Sequence, residues 1–154
     1  MDFWQVIRKR HSVRHFDWVR EVTNEQIEKL IEAAQMAPSA GNSQDWEFIV
    51  IKEPEIKRQL VKAASNQTFI AEEPVVIIAC INLEKIQQRY GKRGKDLYSI
   101  QDTAAATQNI LLAATDLGLG TCWVGAFNED EVKQILKLTK NLRPVIIIPV
   151  GYVK

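Results

Sequence analysis

Apolar positions recur along this chain with two periods, one near 3.6 residues and one of 2, and they mark out alternating helices and strands. A short helix is predicted over Phe3–Arg10. Ile27, Leu30, Ile31 and Ala34 form a stripe at helical spacing, and Thr23 with Gln26 makes a T-x-x-Q capping box ahead of it. Pro38 to Asp45 (PSAGNSQD) is a loop by composition, followed by a strand over Trp46–Ile51. Pro54 suits the first turn of a helix carrying Ile56, Leu60 and Ala64. The β-branched run Val75–Ile81 reads as a strand buried on both faces.

Asn82 caps a short helix ending near Gly91, and Ser99 with Asp102 forms a capping box before a long helix through Leu117. Gly118 and Gly120 end that helix and lead into a strand over Thr121–Ala126. Asn128 caps a helix with Val132, Ile135 and Leu136 inward, and Val145–Val150 is the last strand. Alternation of this kind invites a doubly wound parallel sheet. The loops argue otherwise. Gly118-Leu119-Gly120 follows a helix and precedes a strand, the reverse of a dinucleotide-binding turn, and no Walker-type G-K-S/T occurs.

A chain of 154 residues fits one domain, here read from 1 to 154, with 46% hydrophobic and 25% charged residues as in ordinary globular proteins. The formal charge of +1, from 20 basic and 19 acidic residues, argues against a dedicated nucleic-acid or membrane-surface binder. Cys80 and Cys122 lie in apolar segments with no CxxC partner, so a metal site lacks support and buried free thiols are expected. The N-terminus has no signal-peptide pattern. The longest uncharged apolar stretch, Thr103–Thr115, is shorter than the roughly 18 to 20 residues that a membrane span needs. A cytoplasmic protein is expected.

Three segments carry candidate chemistry. Arg8–Phe16 (RKRHSVRHF) sets guanidinium groups around a hydroxyl, which suits a phosphate; a basic helix end complementing the helix dipole is the plainer alternative. Ala37–Trp46 is a loop of small polar residues that lets backbone approach a flat ligand, or simply a connection. The alanine-rich helix from Thr103 to Ala114 carries little charge and must be buried, either in the core of one chain or against a second subunit. His11 and His15 read as hydrogen-bonding or packing residues, and Tyr90–Lys95 as a solvated basic loop or a lid for the 2′-phosphate of NADPH.

Together these segments carry a resemblance. R-x-S-x-R at Arg10, Ser12 and Arg14, APSAGNSQ-x-W at Ala37–Trp46, QD-x-AAA-x-QN-x-LLAA-x-x-LGLGTCWVG from Gln101 to Gly125, and the closing IPVGY at Ile148–Tyr152 resemble the nitroreductase family of FMN-dependent oxidoreductases. The resemblance implies an α+β fold with a mixed, mostly antiparallel sheet flanked by helices, in an intertwined homodimer binding FMN at the subunit interface. It implies that Arg10, His11, Ser12 and Arg14 hold the phosphate and ribityl end. Pro38, Ser39, Ala40 and Asn42 would line the flavin ring from the partner subunit, Gln67 would approach the pyrimidine edge, and Trp123, Val124 and Gly125 would flank the ring with a backbone N–H aimed at it.

The implied activity is ping-pong hydride transfer from NAD(P)H to a nitroaromatic, a quinone or a similar small aromatic acceptor, with no metal, nucleic acid or membrane involved. The chemistry belongs to the cofactor, so no catalytic triad or carboxylate pair is required. Two departures stand out: Asp45 occupies a position where the family commonly has proline, and the chain stops at Lys154 where members usually continue with a further basic residue for the phosphate. Weaker FMN binding is the expectation that follows. The competing readings are a flavin enzyme outside nitroreduction, a flavin-storage protein without turnover, and a phosphate- or nucleic-acid-binding module built on the basic N-terminal segment.

Overall fold

Local capping chemistry sets most helix starts in the computed structural model, which describes residues 1–154. Helix α1 (Phe3–Lys9) begins with a reciprocal capping box between Asp2 and Gln5. Helix α2 (Asn24–Gln35) begins with the predicted one: Thr23 Oγ1 accepts from Gln26 N–H at 3.1 Å, and Gln26 Oε1 accepts from Thr23 N–H at 3.0 Å. Thr23→Ala is expected to cost about 1 kcal/mol, seen as a lower urea midpoint at unchanged slope. Helix α3 (Pro54–Ala63) opens on proline, and Asn82 and Asn128 accept from backbone N–H groups at the starts of α4 (Leu83–Arg93) and α6 (Glu129–Leu136).

Helix α5 (Ser99–Asp116) departs from the predicted start. It continues out of a π-helical turn at Gly94–Tyr98, and the chain leaves α4 through a break at Gly91 (φ 58°). The Ser99 hydroxyl donates to Lys95 O rather than capping, and Asp102 is spent on a distant loop. Ser99 bonds back to the preceding turn and Asp102 to a distant loop, so neither is left for a capping box.

Five strands form one sheet: β1 (Phe16–Asp17), β2 (Trp46–Ile51), β3 (Val75–Asn82), β4 (Gly120–Thr121) and β5 (Leu142–Val153). Strand β5 pairs with β3 from Leu142↔Asn82 to Val150↔Val75, with a bulge near Pro144. Beyond β3 lies β2, while β4 and β1 pair with the last residues of β5. Every ladder is antiparallel, and a parallel bridge joins Ser12 to Thr121. The doubly wound parallel sheet is excluded, and the α+β architecture implied by the resemblance is the one formed.

Alternation along β3 divides the core. Val75, Ile77 and Ala79 pack with Leu30 of α2 and Ile110 of α5 on one face. Val76, Ile78 and Cys80 pack with Leu60 of α3 and Val132 of α6 on the other. Both cysteines are buried and free, and burial, aided by the charge of Glu47, pushes the Cys80 thiol up to about 12. Helix α5 is covered on one side only: Ile100, Gln101, Gln108 and Asp116 face outward. Helix α1 packs beside it, the Met1 ammonium pairing with Asp116 at 2.9 Å, and leaves Phe3 and Trp4 exposed. No helix is long and apolar enough to cross a membrane.

Candidate functional site

Strand β4 builds the first cluster. Gly120 pairs with Gly151 and Thr121 with Val150, and pairing resumes where Val124 and Ile147 exchange backbone hydrogen bonds of 2.9 and 3.0 Å. The register is constant, which puts Cys122 opposite Pro149. An exchange there needs an N–H that proline lacks. The strand predicted over Thr121–Ala126 is therefore reduced to two residues and a lone bridge.

Backbone groups alternate between the two sides of a strand, so Thr121 and Trp123 turn theirs away from β5. The Thr121 carbonyl accepts from Val13 N–H at 2.8 Å. The Trp123 N–H has no hydrogen-bond partner in the chain, and the residue is 40% exposed. Close approach of the N-terminal segment requires Gly120, where a Cβ would come within 2.8 Å of Val13 Cγ2.

The basic segment thus runs along the outer edge of β4. Ser12 and Arg14 both favour the ionised form of the Cys122 thiol; burial nevertheless dominates and raises the thiol above its ordinary range. Ser12 and Arg14 are exposed, and Arg10 is half-buried at the end of α1. His11 Nδ1 donates to Lys9 O at 2.9 Å, which ties the ring to its own turn. Arg20 leaves the segment altogether and stacks over the Tyr152 ring, 3.6 Å from its centroid.

Gln67 joins the cluster from the turn after α3. Its Nε2 donates to Ala64 O at 3.0 Å and Ala126 O at 3.2 Å, which ties it to the Trp123–Gly125 segment. A cleft of about 240 Å³ alongside is lined in part by Lys9, His11, Val13, Gly120 and Val153. Sequence reading missed Thr121 and Ala126, which act through carbonyls that no side-chain pattern announces.

The loop at Pro38–Asp45 forms a second cluster. Gly41, Asn42 and Gln44 all have positive φ, and a Cβ on Gly41 would strike Tyr90 and Arg89 of α4. The Ala40 N–H donates to Asp102 Oδ1 at 3.1 Å, Gln44 N–H to Ser39 Oγ at 2.9 Å, and Asn82 N–H to Asp45 O at 2.7 Å. Pro38 and Asn42 are exposed, with Ser39 and Ala40 half-buried.

The two clusters do not meet within one chain. Trp46 registers with Ile81 and Ile81 with Arg143, whereas Thr121 registers with Val150. The run from Arg143 to Val150 at about 3.3 Å per residue puts them about 20 Å apart along the sheet. A larger depression, of about 570 Å³, lies beside β2 and is walled partly by Gln44, Trp46, Phe48 and Lys85; it touches the loop and not the first cluster.

The basic stretch Tyr90–Lys95 is helical and largely engaged. Arg89 hydrogen-bonds Gly41 O, Lys92 pairs with Asp96, and Arg93 donates to the Tyr98 hydroxyl while lying over its ring. No group of three His, Cys, Asp or Glu side chains stands at metal-binding distance.

The first cluster offers cations and a hydroxyl at one end, with an unpartnered N–H beside an exposed aromatic ring at the other. Such a set suits a ligand with an anionic tail and a flat, hydrogen-bond-accepting head. The donor chemistry therefore fits FMN.

Comparison with known proteins places the whole fold. The chain matches the nitroreductase family over residues 7–73 and 62–152. A nitroreductase family protein from Clostridium novyi NT is 35% identical and superposes with a TM-score of 0.89 over 100% of this chain and 86% of its own. Another, from Clostridium difficile 630, is 37% identical with a TM-score of 0.86, covering 100% of this chain and 86% of that one. The FMN reductase (NADPH) of Bacillus subtilis is 29% identical over 96% of this chain, which spans 64% of that longer protein. These matches lead to one assignment: the chain belongs to the nitroreductase family and is an oxidoreductase enzyme.

Proposed function

We propose that the chain is an FMN-dependent NAD(P)H oxidoreductase acting as a homodimer on nitroaromatics, quinones or similar acceptors. The observation that carries this reading is the outward, unpartnered N–H of Trp123, held beside Ser12 and Arg14 at the β4 edge. FMN bound there supplies the hydride chemistry, exchanged in turn with NAD(P)H and the acceptor. Arg10, His11, Ser12 and Arg14 hold its phosphate and ribityl end through charge-assisted hydrogen bonds. The Trp123 N–H is a fixed donor for the ring system, where a preorganised dipole stabilises negative charge as it develops. Val124 and Gly125 flank the ring, and Gln67 steadies that segment through Ala126.

The loop residues Pro38, Ser39, Ala40 and Asn42 lie too far away to serve the same chain's site, so each loop serves its partner. The exposed Phe3 and Trp4 of α1 and Ile100 of α5 support such pairing, because apolar surface left uncovered in one chain is buried by a second. Purified protein is expected to show a flavin spectrum that bleaches on anaerobic NADPH or NADH and returns with a nitroaromatic or quinone. Protein that takes up no FMN refutes the reading. A bound flavin that neither nicotinamide bleaches leaves binding intact and refutes the activity.

A further inference from the structure

Two acidic side chains meet beneath the Pro38–Asp45 loop. Asp45 is 0% exposed and Asp102 is 7% exposed. One oxygen of each has a donor: Ser43 Oγ donates to Asp45 Oδ1 at 3.2 Å, and Ala40 N–H to Asp102 Oδ1 at 3.1 Å. The Oδ2 atoms of both are buried with no donor from any other group. Asp45 is the neighbouring group that acts on Asp102, through a side-chain hydrogen bond and through its charge, and two carboxyl groups share a hydrogen bond only with a proton between them.

No cation compensates them. Lys85 donates to Gln44 O at 3.2 Å and Arg89 to Gly41 O, so both charges from α4 go to loop carbonyls. Tyr90 places its hydroxyl against Gly41, Lys92 pairs with Asp96, and Ser99 reaches only the carbonyl of Lys95. Glu47 of β2 accepts from Asn82 and adds negative charge on the same side. Neither Asp45 nor Asp102 has an ion-pair partner.

We propose that Asp45 and Asp102 are positioning residues that share one proton and through it hold the Ser39–Asp45 loop on α5, in the shape in which it covers the flavin. The proposal rests on the FMN reading above for what the loop covers. Loss of that proton leaves two adjacent buried negative charges that the fold cannot neutralise, and the loop lifts. Burial first, and the hydrogen bond and charge of Asp45 after it, push Asp102 up to about 7. A group raised in this way stabilises the closed form at low pH and stops doing so as pH rises through that value.

The test is backbone hydrogen exchange in flavin-free protein, corrected for intrinsic rates, at pH 5.5 and 8.5. Protection of residues 40–45 is expected to fall about tenfold or more between these values, a change equivalent to about one pKa unit of coupling, and to do so equally in Glu73→Gln, which lacks the other buried acid raised by burial. In Asp45→Asn the amide donates to Asp102 with no titrating proton, so protection is retained at both pH values; in Asp102→Asn the amide donates to Asp45 instead, and protection is again retained at both. Wild-type protection that does not change with pH overturns the proposal, as does an undiminished fall in either asparagine variant. FMN affinity measured on the same samples is expected to weaken with the loop in wild type only. A loop that responds while FMN binds at neither pH sinks the flavin reading and leaves the latch standing.

Discussion

Two variants that are each inactive are expected to recover about a quarter of the wild-type rate when their chains are mixed and allowed to exchange subunits. The pair is Arg14→Glu and Asn42→Trp. Arg14 lies by the β4 edge and Asn42 on the loop at the other end of the sheet, both exposed, so neither change disturbs the core. Charge reversal at Arg14 repels a phosphate, and a tryptophan at Asn42 fills the space beside the ring. Each homodimer then has two broken sites. A mixed dimer places both lesions in one site and leaves the other whole. Half of the dimers are mixed at random pairing, and each carries one good site of two. Activity in the mixture no higher than the mean of the separate variants would show that the two clusters do not combine across subunits.

Raising the pH from 5 to 8 is expected to weaken the fold by about 3 to 4 kcal/mol through Glu73 alone. Glu73 is 1% exposed, and neither carboxyl oxygen has a partner. Burial pushes its pKa up to about 8, against the opposing pull of the Lys57 charge. Lys57 stands near but spends its ammonium on Glu73 O, at 2.6 Å, and its own pKa is lowered by burial.

The folded chain thus holds a proton on Glu73 that the unfolded chain has released above about pH 4.5. Stability from that proton is complete below the unfolded value and lost as pH rises through the folded one. Asp102 adds a fall of the same sign up to about pH 7. Urea unfolding at pH 5 and 8 measures the total, and Glu73→Gln should remove the larger part. A variant that keeps the whole fall would place the titration elsewhere.

Much of the fold could be read where a few neighbouring residues suffice. The Thr23–Gln26 box formed both of its bonds, and the β-branched run at Val75–Ile81 lies wholly buried at the centre of the sheet. Reading failed where a distant residue decides. Nothing near Cys122 reveals that Pro149 will stand opposite it, so the edge strand looked longer than it is. Ser99 and Asp102 have capping-box spacing, yet Asp102 is claimed by Ala40, 62 positions away. Strand β1 spans only Phe16–Asp17, too short to show a period.

The candidate site divides the same way. Arg10, Ser12, Arg14 and the Gly120–Gly125 run were visible as residue types, but their shared edge depends on the Ser12–Thr121 bridge. Asp45 stood out in the sequence as a departure from proline; its acidic neighbour across the fold did not. Glu73 gave no sign at all, since two acids ahead of Pro74 look like a solvated turn.

If the proposed FMN site spans two subunits, the distance along the sheet between the β4 edge and the Asn42 loop also makes the cofactor a measure of assembly. On the proposed reading, FMN lodged across the interface leaves one chain alone with half a pocket, and dilution is expected to remove the flavin by removing the other half. By the same linkage, added FMN draws chains together, since whatever binds only the pair stabilises the pair. Yellow colour per chain, followed across protein concentration, then traces the dissociation of subunits rather than the intrinsic grip of either one.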